Sequence, residues 1–238
     1  MLLTRDQTFR VVFNLRTPVI IAGQPQELVG SGIFVVKNNT EVYIVTATHV
    51  ATTCNNNTEV VLSDITGQST ALQLIDFDQN IAWQNHPVAD ISVLQIQMTP
   101  AIQSHLENRF FPYDEDHFHL QQTPVSRDVE LTSVGFPSGL GSAGMFSPLT
   151  FRSYASSSII TLNRFDTNTP CEFFILEDPG MGGYSGCPVF DLGIMITGGM
   201  TTRKQYTVCH GIMHGIITDA TGGKLATVSP SYFLNDIL

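Results

Sequence analysis

The chain is poor in basic residues. Eleven Lys and Arg face 21 Asp and Glu, for a formal net charge of −10 over 238 residues. Binding to phosphate backbones needs clustered cations, so a nucleic-acid-binding surface is not expected. The same deficit argues against attachment to anionic membranes. No stretch approaches the roughly 18 apolar residues of a spanning helix. The start, Met1-Leu2-Leu3-Thr4-Arg5-Asp6, lacks a basic region followed by an apolar run and a cleavage site, so a cytoplasmic location is the expectation. Cysteine is scarce: Cys54, Cys171, Cys187 and Cys209 have no metal-like spacing and are expected as free thiols. Long 3.6-residue periodicity is absent too, which excludes a helical bundle.

What is present is β-like. Nineteen Gly and 12 Pro punctuate short runs rich in Val, Ile and Thr. Runs at 8–22, 30–36, 41–50, 59–63, 70–76 and 90–96 are followed by a Pro-rich, acidic stretch at 99–126 with few strand signals. That stretch reads as a connection. The pattern resumes at Asp128, with short strands separated by turn residues, as in barrels and sandwiches.

One segment carries the densest chemistry: Gly182-Gly183-Tyr184-Ser185-Gly186-Cys187-Pro188-Val189-Phe190. Glycines let the backbone take conformations closed to other residues and let a ligand approach. Ser185 is therefore placed to be a nucleophile, with the Gly183 and Ser185 amides as donors to a developing oxyanion. A tight turn with a solvated serine is the bland alternative. A serine nucleophile also needs a base, and the base an orienter. His49 ends the apolar run Val45-Thr46-Ala47-Thr48, and Asp90 opens Ile91-Ser92-Val93-Leu94. Each alone reads equally as a packed histidine or an ordinary strand start. Their order, 41 and 95 positions apart, joins them into one constellation.

Five pieces in this order resemble a chymotrypsin-like serine peptidase, of the bacterial trypsin-like and high-temperature-requirement type. They are Gly30-Ser31-Gly32-Ile33-Phe34-Val35, Val45-Thr46-Ala47-Thr48-His49-Val50, Asp90-Ile91-Ser92-Val93-Leu94, Gly135-Phe136-Pro137-Ser138-Gly139 and Gly183 to Phe190. The resemblance implies an all-β fold of two six-stranded antiparallel β-barrels, residues 1–115 and 116–238. The site would lie in the cleft between them, and a short C-terminal helix would close the chain. It implies catalysis by His49, Asp90 and Ser185, an oxyanion hole from Gly183 and Ser185, and no cofactor or metal. A protein or peptide is the implied substrate.

Departures from the family pattern are Tyr184 before the serine, Val50 where secreted members have cysteine, and no recognisable activation site. No segment resembling the family's peptide-binding domain follows, so control by a partner protein is an expectation. A latent or inactive relative serving as a peptide-binding module is the alternative reading, and an esterase a third. The resemblance puts the specificity pocket near Pro179, His214, Thr218, Asp219 and Ala220. With no acid at the pocket base, a preference for Arg or Lys is not expected. His210 and His214, four apart on one strand, should share a face, either as pocket wall or as packing. The cluster Asp114-Glu115-Asp116-His117-Phe118-His119 has ligand-type side chains but reads as a solvated loop. Cys187 reads as a small buried hydrophobe, with oxidation sensitivity as the alternative.

Overall fold

The computed structural model describes residues 1–178, 180–197, 200–218 and 224–238; the side chains of 194–197 and 200–201 are outside this description. Pro179, Asp219 and Ala220 of the expected pocket thus lie outside the described residues.

Two mostly antiparallel sheets make up the molecule. The first contains β1 (Val12–Ile21), β2 (Gln24–Lys37), β3 (Glu41–Thr46), β4 (Glu59–Ser63), β5 (Ser69–Gln73), β6 (Gln84–Asn85), β7 (Ser92–Gln95) and β8 (Phe111–Pro112). Its order is β5-β4-β1-β2-β3-β7-β6, with β8 parallel to β2. The second contains β9 (Leu131–Gly135), β10 (Leu149–Ser153), β11 (Ile160–Asn163), β12 (Pro170–Leu176), β13 (Pro188–Asp191), β16 (Val208–Thr218) and β17 (Lys224–Pro230), ordered β10-β9-β13-β16-β17-β12-β11. A separate hairpin pairs β14 (Ile194–Thr197) with β15 (Met200–Arg203). This is the two-unit β architecture expected, with sheets of eight and seven strands rather than six each.

Both faces of the central strands are buried, so they read as continuous apolar runs rather than alternating ones. The period of two still sorts them. In the first sheet Phe13, Leu15, Phe34, Ile44 and Leu94 fill one core. Their neighbours Val12, Ile33, Val35, Val45 and Val93 point the other way, into a core shared with Phe136, Phe173, Phe190 and Ile212 of the second half. The second half fills its own interior with Leu131, Phe174, Leu176, Val189, Met213 and Val228. Three cores result, and the middle one joins the sheets.

Pro18 does not break the first run: β1 continues through it, opposite Glu27. Pairing to β4 involves only Asn14–Arg16, so the missing N–H at Pro18 interrupts no ladder on that edge. The stretch read as a connection holds a helix, Pro100–Leu106, whose N-cap Thr99 accepts from the Ile102 amide at 3.3 Å. Proline at the first helical position fits that start. The expected closing helix is a 3-10 helix, Ser231–Asp236. Among the described residues no helix is long and apolar enough to cross a membrane.

Candidate active site

His49 sits in a one-turn helix, Thr48–Ala51, directly after β3. Its amide donates to Asp90 Oδ1 at 3.0 Å, and its ring Nδ1 lies 2.7 Å from Asp90 Oδ2. Backbone and side chain of one residue thus grip both oxygens of one carboxylate. Asp90 precedes β7 on a turn organised by His86. The His86 Nδ1 accepts the Val88 and Ala89 amides at 3.1 and 2.7 Å, which leaves Nε2 to donate to Asp236 at 3.0 Å.

Asp90 is fully buried. Burial by itself would push its carboxyl up, but the hydrogen bonds from His214 and then from His49 hold it well below the usual carboxylate range. Arg164 Nη2 adds an ion pair at 3.2 Å to Oδ1. Phe165, next to it, lies over the site, its ring 4.9 Å from that of His49 and 4.5 Å from that of His214.

Ser185 stands on the loop before β13. Its Oγ donates to the His214 carbonyl at 3.2 Å, and among the described residues it makes no hydrogen bond to His49. The loop is pinned from several sides. Ser31, from the Gly-Ser-Gly of β2, is the main fastener: its amide donates to the Ser185 carbonyl at 2.8 Å and its hydroxyl to the Gly183 carbonyl at 2.8 Å. The same hydroxyl accepts the Phe136 amide at 3.0 Å. Ser138 donates its amide to the Gly182 carbonyl at 2.8 Å, and Tyr184 donates its hydroxyl to the Leu149 carbonyl at 3.0 Å. Among the described residues neither the Gly183 nor the Ser185 amide has a backbone acceptor.

The structure therefore brings His49 and Asp90 into direct contact, and brings Ser185 to the same place through the His214 backbone. The pocket residues fare differently. His214 is buried with Nδ1 2.5 Å from Asp90 Oδ2, so its ring faces the acid rather than a pocket wall. Thr218 is exposed at the end of β16, paired with Lys224. A small cavity of about 20 Å³ lies beside the serine loop, lined by Tyr184, Met213, Leu176, Ala226, Ser133 and Ser153 among others. His210 and His214 do not share a face. Register shifts interrupt β16 at Val189/Phe190 of its β13 partner and between Met213 and Gly215 toward β17, and a bulge breaks the period of two. His210 packs at 5.0 Å on His119 instead.

His49, Asp90 and His214 form a group whose potential ligand atoms lie within 4.8 Å of one another. Its chemistry does not suit a cation: the two Nδ1 atoms face a carboxylate as N–H donors, and Arg164 already supplies a positive charge there. The 114–119 cluster is a turn, with Asp114 Oδ1 accepting the amides of Asp116 and His117 and the His117 ring. Cys187 is fully buried, which pushes its thiol well up and suits the packing role. Ser31, Arg164 and Phe165 are site residues that sequence reasoning missed; only Ser31, flanked by glycines, carried a signal.

A sequence model of the family described as trypsin-like peptidase domain matches residues 30–193. No curated protein matches the chain at the sequence level. Among solved structures, the active form of the Rv3671c protease from M. tuberculosis superposes with a TM-score of 0.60 at 16% identity, covering 96% of this chain and 79% of that one. The MamO protease domain from Magnetospirillum magneticum gives 0.58 at 15% identity, with 97% of each chain covered. The HtrA-type protease AlgW with a tripeptide gives 0.53 at 16%, and there this chain covers 96% of itself but spans only 58% of its counterpart. At these identities the likeness concerns the fold.

Proposed function

The chain belongs to the trypsin-like peptidase family, and from that premise we propose that it is a serine endopeptidase using Ser185, His49 and Asp90. The observation that carries this reading is the Asp90 carboxylate holding His49 by Nδ1–H at 2.7 Å. With hydrogen on Nδ1, the His49 Nε2 keeps the lone pair that a general base needs. In the proposed step His49 Nε2 takes the Ser185 proton as Oγ attacks the peptide carbonyl. The tetrahedral oxyanion is received by the Gly183 and Ser185 amides. His49 then returns the proton to the leaving amine, and an acyl-serine remains for water to hydrolyse. Asp90 stays ionised throughout and stabilises the imidazolium.

The bond from Ser185 Oγ to the His214 carbonyl favours a second element of the reading: the resting site is not engaged. A rotation of the serine side chain toward His49 is needed, and hydrogen bonds of this kind tighten on complex formation. Substrate or an activating protein partner supplies that rotation in the proposed cycle. A peptidase-fold binding module is the rival. Labelling by a fluorophosphonate probe separates the two. Labelling of the parent protein that is lost in both Ser185→Ala and His49→Ala supports the enzyme; absence of labelling, alone and with added lysate, supports the module.

A further inference from the structure

One carboxylate oxygen in this site serves two imidazoles. Asp90 Oδ2 lies 2.7 Å from His49 Nδ1 and 2.5 Å from His214 Nδ1. An ionised carboxylate only accepts, so each facing nitrogen carries hydrogen. The other oxygen takes the His49 amide at 3.0 Å and Arg164 Nη2 at 3.2 Å. Four donors thus converge on a carboxylate with no solvent contact.

Two of those donors come from the second half, His214 from β16 and Arg164 from the turn after β11, and both are held there. The register shift between Met213 and Gly215 leaves His214 as the extra residue in β16 against β17, and a bulge re-aims its side chain. Its ring lies between Phe165 and Phe173, at 4.5 and 4.8 Å. Arg164 is fixed by Asp166, through Nε at 2.9 Å and Nη2 at 2.6 Å, and by the Val88 carbonyl at 2.8 Å. Among the described residues the further titratable groups near the cluster are Asp166, paired to Arg164, and Cys171 and Glu172 on β12. Burial pushes the Cys171 thiol up to about 11, so it carries no charge there near neutrality.

We propose that His214 and Arg164 are positioning residues that divide the charge of Asp90 among three partners and thereby set how firmly His49 keeps a proton. The proposal rests on the reading of His49 as general base. A proton on His49 is stabilised by the negative charge of Asp90. Every other donor on the same carboxylate draws on that charge and weakens the hold. Removing His214 or Arg164 leaves more of Asp90 to His49, so the acidic limb of activity moves to higher pH. A merely structural role gives the opposite sign. If the two residues only kept Asp90 in place, their loss would free the carboxylate from His49, and the limb would move to lower pH.

Three variants decide it. His214→Phe keeps the ring between Phe165 and Phe173 but removes both nitrogens. His214→Asn keeps an N–H close to the Nδ1 position. Arg164→Met keeps the stem and removes the charge. Two quantities are measured on each protein between about pH 4 and 9: the rate of fluorophosphonate labelling and the titration of the His49 ring by NMR. The expected result is a shift of both to higher pH, by about half a unit to one unit in His214→Phe and at least as much in Arg164→Met. His214→Asn should stay near the parent. An unmoved limb, or one moved to lower pH in His214→Phe and Arg164→Met, overturns the proposal. If no protein labels, the peptidase reading fails, and the NMR titration still decides the sharing of Asp90. If His214→Phe does not fold, Arg164→Met and His214→Asn carry the test.

Discussion

Gly183 and Gly186 bracket Ser185 with φ of +92° and +85°, a region that side-chain-bearing residues rarely enter. Space is as restrictive as conformation. A Cβ on Gly183 would lie 2.5 Å from the Ser138 nitrogen and 2.6 Å from the Phe136 carbonyl oxygen. Gly183→Ala must therefore move the loop that offers the two amides. The labelling rate should fall by about 10²- to 10³-fold, the scale of losing one oxyanion donor, and circular dichroism should show the sheets intact. An unchanged rate would mean that the amide at 183 plays no part. These residues stood out in the sequence as a serine in a glycine-rich turn, and their order after His49 and Asp90 raised them above an ordinary turn. His49 and Asp90 were legible only together: each alone reads as a packed histidine or an ordinary strand start, and their order before Ser185 and the family resemblance singled them out. Arg164 was not. It reaches Asp90 from 74 residues away in sequence, and no local pattern encodes that approach.

Strand β16 shows why some pairings escaped. Alternation predicts a common face for His210 and His214, but the register shifts separate them: one ring goes to His119 and the other to Asp90. Bulges have no dependable sequence signature, so positions beyond them cannot be assigned by counting. The separation has a consequence for pH. The His210 Nδ1 is buried, with no hydrogen-bond partner among the described residues. Burial first, and His119 second, lower its pKa to about 3. In the unfolded chain it takes a proton near pH 6.5. A depressed histidine favours the fold in its neutral form, so its contribution is complete above about pH 6.5 and lost as pH falls toward 3. Replacing it by Leu should flatten the loss of stability between about pH 7 and 5, read from urea midpoints at the two values. Equal losses in both proteins would contradict the assignment. At the same scale, Pro100–Leu106 was missed although Thr99-Pro100 announced a helix start, because seven residues are too few for a period to show.

The middle of the three cores draws on both sheets, so the molecule is expected to unfold as one unit. The middle core takes Val12, Ile33 and Phe111 from the first sheet and Phe136, Phe173 and Phe190 from the second half. Because each strand of the pair serves two cores, disturbing the middle one disturbs both sheets. Phe190→Ala should cost about 3–5 kcal/mol and should leave a single cooperative unfolding transition, seen alike by fluorescence and far-ultraviolet circular dichroism. Two separated transitions would show that the sheets fold independently. The short β runs on either side of a Pro-rich connection gave the all-β class, and the family resemblance supplied the two-part architecture. The strand count was not readable, because two-residue strands such as β6 and β8 are defined by their partners rather than by their own sequence.

The central claim is that Ser185 becomes covalently acylated with help from His49. Its most direct measurement is the intact mass of the protein, quenched in acid during turnover of an activated ester, followed by peptide mapping. The account predicts one acyl group per chain on the peptide containing Ser185, absent in Ser185→Ala and strongly reduced in His49→Ala. An acyl group on any other residue, or equal acylation of the His49→Ala protein, would contradict it.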